Sequence, residues 1–307
     1  MRRPMLFLLR GVSRRLGPLI SAPTMLLLIA MTLGAGDHAL RPLGWPGSGP
    51  LSPATTLRFS PSPHGFYLVI SEQHLRDIQA VAPRLAARML ARPTTIVLSP
   101  GSSALTWHAA VRTAFFTSYA GFIGKLRRHA IPADVRAVAY DPELWRATPW
   151  PERNNPQRYM ALFAAAAHRN GYAAVLMPGR DLLAVARSCR KHRGESLDAA
   201  FLRCGLAGTA ARLSQIFEVQ TAPVESSALE LRTFAAACAV QARVANPSVV
   251  LIATLSTQSG NRWVSGWQLT QAAAAVRPFV QGFQLNMTRR TTRAAVAFLR
   301  TLPAYRG

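Results

Sequence analysis

Acidic, amide and hydroxyl side chains recur near the ends of short apolar segments in this chain. Residues 216–220 read Ile-Phe-Glu-Val-Gln and residues 282–286 read Gly-Phe-Gln-Leu-Asn, so apolar and polar side chains alternate. In a strand, alternate side chains share one face. The polar faces then carry Glu218 and Gln220, Gln284 and Asn286, and Thr254 and Ser256 from a third segment, and we expect them to line one cavity.

A pair of acids follows the apolar segment 135–140. Asp141 and Glu143 are two residues apart, so their side chains project similarly as that segment ends. The chain has only 13 acidic residues against 36 basic ones, and unpaired carboxylates are costly to bury. Three acids at strand ends therefore favour a functional site. The structural alternative is that the pair caps the next segment or binds arginine, while Glu218 forms an internal ion pair.

Two or three carboxyl groups around one cavity suit the hydrolysis of a glycosidic bond. One protonated acid gives its proton to the leaving oxygen, and a second carboxylate acts as nucleophile or activates water. We predict Glu143 as the proton donor, Asp141 as the neighbour that orients it and tunes its pKa, and Glu218 as the second carboxylate. The predicted substrate-binding residues are Gln220, Gln284, Asn286, Thr254 and Trp145, whose ring would pack against a sugar or anchor its loop.

The elements that must position these side chains alternate along the chain. Short β-branched segments predict strands, and Ala-, Leu- and Arg-rich segments between them have helical spacing. Strands that alternate with helices form a parallel sheet, and seven such units in residues 65–307 match the size of a (β/α)8 TIM-like barrel. The predicted strands are Phe66–Ile70, Thr94–Leu98, Val135–Tyr140, Tyr172–Met177, Gln215–Gln220, Val249–Thr254 and Val280–Asn286; the predicted helices include Ala109–His129, Pro156–Asn170, Ser226–Ala245, Trp267–Val276 and Thr291–Leu302.

Seven strands leave the eighth strand of such a barrel open. Leu57–Ser60 or a part of residues 183–205 could supply it. An open, doubly wound sheet is the alternative α/β fold, but no Gly-rich phosphate-binding turn follows the first strand. The barrel is therefore the preferred prediction.

The acidic pair carries a resemblance to a known family. Asp141-x-Glu143 at the end of a barrel strand resembles the last part of the signature D-G-x-D-x-D-x-E of chitinase-type glycoside hydrolases. In that family the Glu is the proton donor, and the preceding Asp helps the substrate's acetamido group to stabilise the intermediate. The resemblance implies these roles for Glu143 and Asp141. Arg136, Ala137 and Ala139 stand where the family has Asp, Gly and Asp. The resemblance thus implies a glycosidase-like barrel and leaves open a barrel that binds without cleaving.

The first 64 residues have a different composition. Five arginines and no acid occupy residues 1–16, and residues 17–36 carry no charge. This layout predicts an export signal or a membrane anchor over residues 1–40, and either would place the later residues outside the cytoplasm. Residues 41–64 are rich in Pro, Ser and Gly and predict a linker or surface arm, followed by a single barrel domain over residues 65–307.

Export bears on the three cysteines. We predict a disulfide between Cys189 and Cys204, which flank a polar segment, and a small buried side chain at Cys238 on a helix face. No CxxC pair and no metal-spaced histidines occur, so we expect no metal or other cofactor. The histidines are predicted to be surface or helix-packing residues.

The basic composition supports a second hypothesis. The formal net charge is +23, and a positive surface would suit a non-catalytic envelope protein that binds anionic polymers, glycans or a lipid surface. No nucleic-acid-binding motif is present, so a nucleic-acid partner is not expected. The leading hypothesis is an exported, monomeric, glycoside-hydrolase-like protein that acts on an extracellular carbohydrate or cell-wall polymer, with contact to a membrane only through an uncleaved N-terminal segment.

Overall fold

Eight parallel strands close into a barrel in the part of the chain that the computed structural model describes, which is Phe59 and residues 66–100, 110–222 and 227–302. Each strand pairs in parallel with its neighbours, and the last barrel strand closes the ring against the first. The protein is a (β/α)8 TIM-like barrel, as the alternation of strands and helices predicted. The barrel strands are β1 (Tyr67–Ser71), β2 (Thr95–Ser99), β3 (Val111–Phe116), β4 (Ala137–Tyr140), β5 (Ala173–Leu176), β6 (Ile216–Val219), β7 (Val250–Ser256) and β10 (Gly282–Asn286), and a short hairpin of β8 (Gln258–Ser259) and β9 (Arg262–Trp263) follows β7.

Helices pack around this ring. All seven predicted strands are present with ends shifted by no more than about two residues, and the helices predicted after residue 150 are confirmed. The predicted leader over residues 1–40 and all of the predicted arm over 41–64 except Phe59 lie outside the described residues. The helices are α1 (Glu72–Val81), α2 (Pro83–Leu90), α3 (Tyr119–Arg127), α4 (Trp150–Asn154), α5 (Pro156–Arg169), α6 (Leu197–Arg203), α7 (Leu206–Leu213), α8 (Ala228–Ala245), α9 (Gly266–Val276) and α10 (Thr292–Thr301).

The eighth strand is β3, which corrects the prediction of one helix over Ala109–His129. Its side chains alternate: Val111 packs in the barrel interior, whereas Arg112 is buried on the outer side and binds Asp134 at 2.5 Å. The helix begins only at Tyr119, because the hydroxyl of Ser118 accepts a hydrogen bond from the N–H of Gly121 and caps it. Ala109 and Ala110 before this strand and the capped helix soon after it made the whole segment resemble one helix in the sequence.

Neither predicted candidate supplies the eighth strand of the barrel, because β3 completes the ring. Within Leu57–Ser60 only Phe59 is described, and it is not in a strand, although its ring packs 6.0 Å from that of Tyr67 at the amino-terminal end of the barrel. Residues 183–205 form the end of a 3-10 helix, a disulfide-closed loop and α6. That segment lacks the run of β-branched residues that a buried strand requires.

The alternation of side chains in each strand separates two apolar cores. Inward-facing residues such as Val69, Ile96 and Val175 fill the barrel, and outward-facing residues such as Phe217 and Leu251 pack against the helices. The interior is filled by apolar side chains toward the amino-terminal end, as expected for a barrel of eight strands. Polar inward positions are therefore concentrated at the carboxyl ends of the strands.

The predicted disulfide between Cys189 and Cys204 is present, with their Cα atoms 5.8 Å apart. It ties the loop after β5 to the end of α6, and Cys238 is buried in α8 as predicted. A second link reaches the same region, because the buried guanidinium of Arg180 binds the carboxylate of Asp198 on α6. Among the described helices, none combines the length and apolar character that a membrane span requires.

Replacing Cys189 and Cys204 together by serine is expected to lower the free energy of unfolding by about 3 kcal/mol, because the disulfide closes a short loop and restricts the unfolded chain. Urea denaturation of both proteins measures the difference. Adding dithiothreitol to the wild-type protein should reproduce it, whereas the double variant should not respond to the reductant. A variant as stable as the wild type would contradict this role of the disulfide.

Candidate functional site

One cavity of about 470 Å³ opens at the carboxyl-terminal end of the barrel. Five of the six side chains that the sequence placed on inward faces line it, which agrees with the predicted alternation of faces, whereas the sixth, Ser256, donates to the carbonyl of Gln258 and does not line the cavity. The cavity brings together all eight predicted catalytic and substrate-binding residues, namely Asp141, Glu143, Glu218, Gln220, Gln284, Asn286, Thr254 and Trp145.

Asp141 lies at the carboxyl end of β4 and is buried. Its main chain N–H donates to the carbonyl of Phe116 on β3 at 2.9 Å, which continues the barrel pairing and points the side chain inward. The amide nitrogen of Gln220, beyond β6, donates to Oδ1 of Asp141 at 2.8 Å and to the carbonyl of Met177 at 3.0 Å. One amide thus holds together the ends of three strands.

Glu218 lies deeper, with 1% of its surface exposed. The hydroxyl of Thr254 donates to Oε1 at 2.6 Å, and the side chain of Gln284 faces the same carboxyl group, with its amide assigned the orientation in which the nitrogen donates to both oxygens. These neighbours come from β7 and β10, so the hydrogen bonds follow the parallel register in which Thr254 pairs with Gln284. Both predicted substrate-binding side chains therefore also position Glu218.

Glu143 follows Asp141 on the loop after β4. The backbone N–H of Gly179, after β5, donates to the carbonyl of Pro142 at 2.9 Å, and a Cβ atom at Gly179 would lie only 2.7 Å from Cγ of Glu143. The loop after β5 therefore approaches this side chain as closely as only glycine allows. Trp145 hydrogen-bonds Glu143 and leaves 42% of its surface exposed at the mouth.

Asp181 is a fourth carboxyl group beside the cavity, and it was not predicted from the sequence. Its Oδ2 accepts from the N–H of Leu144 at 3.0 Å, whereas its Oδ1 is buried with no hydrogen-bond partner. Asp181 lies in the first turn of a 3-10 helix over Arg180–Ala184. Its position five residues after the end of β5 was the signal that the sequence offered, but only the folded loops bring it next to Glu143.

His74 also lines the cavity, which corrects the prediction that every histidine is a surface or helix-packing residue. It lies in the first turn of α1, whose N-cap hydroxyl on Ser71 accepts from the backbone N–H of His74 at 3.1 Å. Burial lowers the pKa of His74, and the charge of Asp77 opposes this shift. A neutral imidazole at neutral pH can donate or accept a hydrogen bond at the cavity wall.

Burial and mutual repulsion raise the pKa values of the carboxyl groups. Burial raises the pKa of Glu143 to about 7, and the charge of Asp181 adds to the shift. Burial raises the pKa of Glu218 to about 8 against the hydrogen bond from Thr254, and it holds the pKa of Asp141 well above its usual range, with a further contribution from Glu143. None of these carboxyl groups is in an ion pair among the described residues. Groups this close titrate together.

Two other buried acids are structural by contrast. Glu152 accepts from the hydroxyl of Tyr140 at 2.7 Å and from the N–H of Tyr119 at 2.7 Å, so it caps α3. Glu72 binds Arg76 at 2.6 Å and accepts from the hydroxyl of Ser99 at 2.8 Å. The cavity acids instead face one another and open space, which is typical of a functional site.

No protein-family model and no curated protein matches this chain. The chemistry of the cavity is therefore read from its own side chains. Among the described residues, no group of three or more His, Cys, Asp or Glu side chains is arranged to hold a metal ion. What the described residues offer is proton transfer by carboxyl groups together with hydrogen bonding by amides and hydroxyls.

Replacing Gly179 by alanine is expected to displace Glu143 while the barrel stays folded. The added methyl group would lie 2.6 Å from Oδ1 of Asp181 and 2.7 Å from Cγ of Glu143, so both side chains must move. A displacement of about 1 Å in such a site costs about 100-fold in rate. Circular dichroism should show an unchanged fold, and unchanged activity would mean that the position of Glu143 is unimportant.

Proposed function

We propose that this protein is an exported glycoside-hydrolase-like enzyme that cleaves an extracellular carbohydrate by carboxyl-group catalysis. The observation that carries the proposal is the convergence of Asp141, Glu143 and Glu218 in one open cavity, without a basic partner among the described residues. Hydrolysis of a glycosidic bond needs a protonated acid and an ionised carboxylate in one site. Amides and an exposed indole around the acids suit the hydroxyl groups and faces of sugar rings.

Glu143 is the proton donor in this proposal. It is the acid nearest the mouth, beside the exposed ring of Trp145, and its pKa of about 7 lets it release and regain a proton near neutral pH. Asp141 and Glu218 supply the second carboxylate. Gln220 donates to Asp141, and Thr254 and Gln284 donate to Glu218, so each is able to carry negative charge when it ionises.

The reactive state of this cluster carries one negative charge. When every carboxyl group is protonated, no carboxylate is present to stabilise the cation that develops on the sugar. When a second group ionises, repulsion removes the proton that Glu143 must donate. The carboxyl groups titrate together and share this single charge, and the molecules that react are those in which Glu143 keeps its proton while Glu218 or Asp141 is ionised. We therefore expect kcat/KM to have a bell-shaped dependence on pH.

The test of the proposal is hydrolysis of a broad panel of polysaccharides by the purified protein, followed as the release of reducing ends. The wild type should cleave at least one polymer with a bell-shaped pH profile, and Glu143→Gln should not. Glu230→Gln, an exposed change on α8, is the matched control and should be as active as the wild type. No cleavage of any polymer between pH 5 and 9 would refute the proposal.

Export is part of the proposal, because a disulfide forms and persists in an oxidising compartment. The arginine-rich start and the uncharged segment after it support the same interpretation. Fusing residues 1–64 to a reporter that is active only outside the cytoplasm tests it. An inactive reporter would contradict export.

A non-catalytic envelope protein is the second candidate, and one observation favours it. A depression of about 480 Å³ near the ends of α1 and α10 is lined by Arg84, Arg88 and Arg300, and no described ion pair includes them. Three free guanidinium groups suit an anionic polymer. Binding that weakens steeply with salt, together with no hydrolysis, would favour this candidate.

A further inference from the structure

A second depression, of about 470 Å³, lies at the same end of the barrel as the acidic cavity. It is formed by the β8–β9 hairpin, the start of α9 and the segment that leads from β10 into α10. We call it the hairpin depression. Its wall includes Trp263, which leaves 57% of its surface exposed, with Ser265, Gln268, Arg290 and Arg293.

Positive charge in the hairpin depression has no internal explanation. Arg290 and Arg293 are exposed, no described ion pair includes them, and no acid lines the depression. They flank the start of α10 at Thr292, whose first turn contains no acid. Cations at a helix N-terminus are unfavourable because the helix dipole is positive there. A bound anion would remove this repulsion and would be attracted by both guanidinium groups.

The walls of the hairpin depression are held together. The hydroxyl groups of Thr257 and Thr291 are hydrogen-bonded at 2.6 Å, which links the end of β7 to the start of α10. The N–H of Val264 donates to the carbonyl of Thr257 at 2.9 Å and fixes the hairpin to the same point. The indole and the guanidinium groups therefore project from anchored segments, which lowers the entropy cost of binding.

The hairpin depression is close to the acidic cavity. The hydroxyl of Ser259 in the hairpin donates to the carbonyl of Ala222, which lines the acidic cavity, at 2.9 Å. Asn286 lines that cavity and Arg290 lines the depression, and because they are four positions apart in the chain their Cα atoms are at most about 14 Å apart. A short run of sugar residues spans such a distance.

We propose that the hairpin depression binds an anionic sugar residue, one that carries a carboxylate, sulfate or phosphate group, within the polymer that enters the acidic cavity. The ring of Trp263 stacks on the sugar, and Arg290 and Arg293 bind its anionic group. Gln268 assists, because its side-chain oxygen accepts from the N–H of Ser265 at 2.8 Å and leaves the amide nitrogen for a sugar oxygen. This inference rests on the proposed function only for the identity of the polymer, and it assigns that polymer to the anionic class.

Binding is measured without turnover, so its outcome is separate from that of hydrolysis. The Glu143→Gln protein is applied to an array in which each carboxylated, sulfated or phosphorylated polysaccharide is paired with a neutral polymer of the same backbone. We expect at least one anionic polymer to bind about tenfold or more tightly than its neutral partner. Calorimetry then gives dissociation constants for that polymer and its neutral partner with four further variants made in the same protein, one of which is Arg84→Ser with Arg88→Ser.

Arg290→Ser with Arg293→Ser is expected to weaken binding of the anionic polymer about tenfold or more and to abolish the preference over the neutral partner. Trp263→Ala should weaken the binding of the anionic and of the neutral polymer to a similar extent. Trp267→Ala, which removes an exposed indole outside the depression, is the matched control and should change neither.

Three results would overturn the inference. They are no preference for any anionic polymer, unchanged binding in the double arginine variant, and an equal loss on changing Arg84 and Arg88, which would assign the anion to the other end of the barrel. Hydrolysis of a neutral glycan with no anionic preference would remove the subsite and leave the proposed function intact. A preference for an anionic polymer without hydrolysis of any polymer would support the subsite and remove the proposed function.

Discussion

Glu143→Gln is expected to lower kcat for polysaccharide hydrolysis by about 10²–10⁴-fold, because an amide cannot donate the proton that the leaving oxygen requires. The side chain keeps its size and can keep its contact with Trp145, so KM should change little. The fold should also be unaffected, since the carboxyl group makes no ion pair among the described residues. Initial rates of wild type and variant on the same polymer measure the effect.

A second substrate separates loss of acid catalysis from general damage. In an aryl glycoside with a very acidic phenol, the phenolate leaves without needing a proton. The Glu143→Gln variant should therefore retain most of the wild-type rate of bond cleavage on this substrate. The alkaline limb of the pH profile should disappear at the same time, because that limb reports the proton on Glu143. Equal losses on both substrates would show that Glu143 does not act as the proton donor.

Glu218→Gln is expected to stabilise the protein at pH 8 by about 3–5 kcal/mol and to leave its stability at pH 4.5 unchanged. In the unfolded chain this carboxyl group ionises near its ordinary pKa of 4.5, whereas in the folded protein burial raises the pKa to about 8. The stability that depends on the protonated group is therefore complete below about pH 4.5 and is lost as the pH rises toward 8. Glutamine has no such cost, and it keeps an oxygen that accepts from Thr254.

Urea denaturation of both proteins at pH 4.5 and pH 8 measures this difference. The variant Glu230→Gln, at an exposed position, is the control and should change the free energy of unfolding equally at pH 4.5 and pH 8. Catalytic activity should fall in Glu218→Gln even though stability at pH 8 rises. Replacing a residue that serves function at a cost to folding is expected to lower activity and to raise stability. A stability change that does not depend on pH would contradict the raised pKa of Glu218.

The faces of the strands were predictable from the sequence because side-chain alternation is a local property with a period of two. Phe217 and Val219 on the outer face of β6 required Glu218 to face inward, and the same held for Gln284 between Phe283 and Leu285. The disulfide was likewise predictable from the two cysteines that flank a polar segment. The prediction from the sequence was wrong at β3, where six residues between Ala109-Ala110 and the cap of α3 did not give a distinct strand pattern.

Which side chains come into contact at the cavity was decided only by the tertiary structure. The loop after β5 lies beside the loop after β4, and it therefore brings Asp181 and Gly179 next to Glu143. His74 on α1, which follows the first strand of the barrel, lines the same cavity. The hydrogen bond from Gln220 to Asp141 joins residues 79 positions apart. Such contacts depend on strand register and on closure of the ring, which no local pattern encodes. The sequence by itself determined which acids face inward, and the closed barrel decided that they share one cavity in which burial and repulsion raise their pKa values.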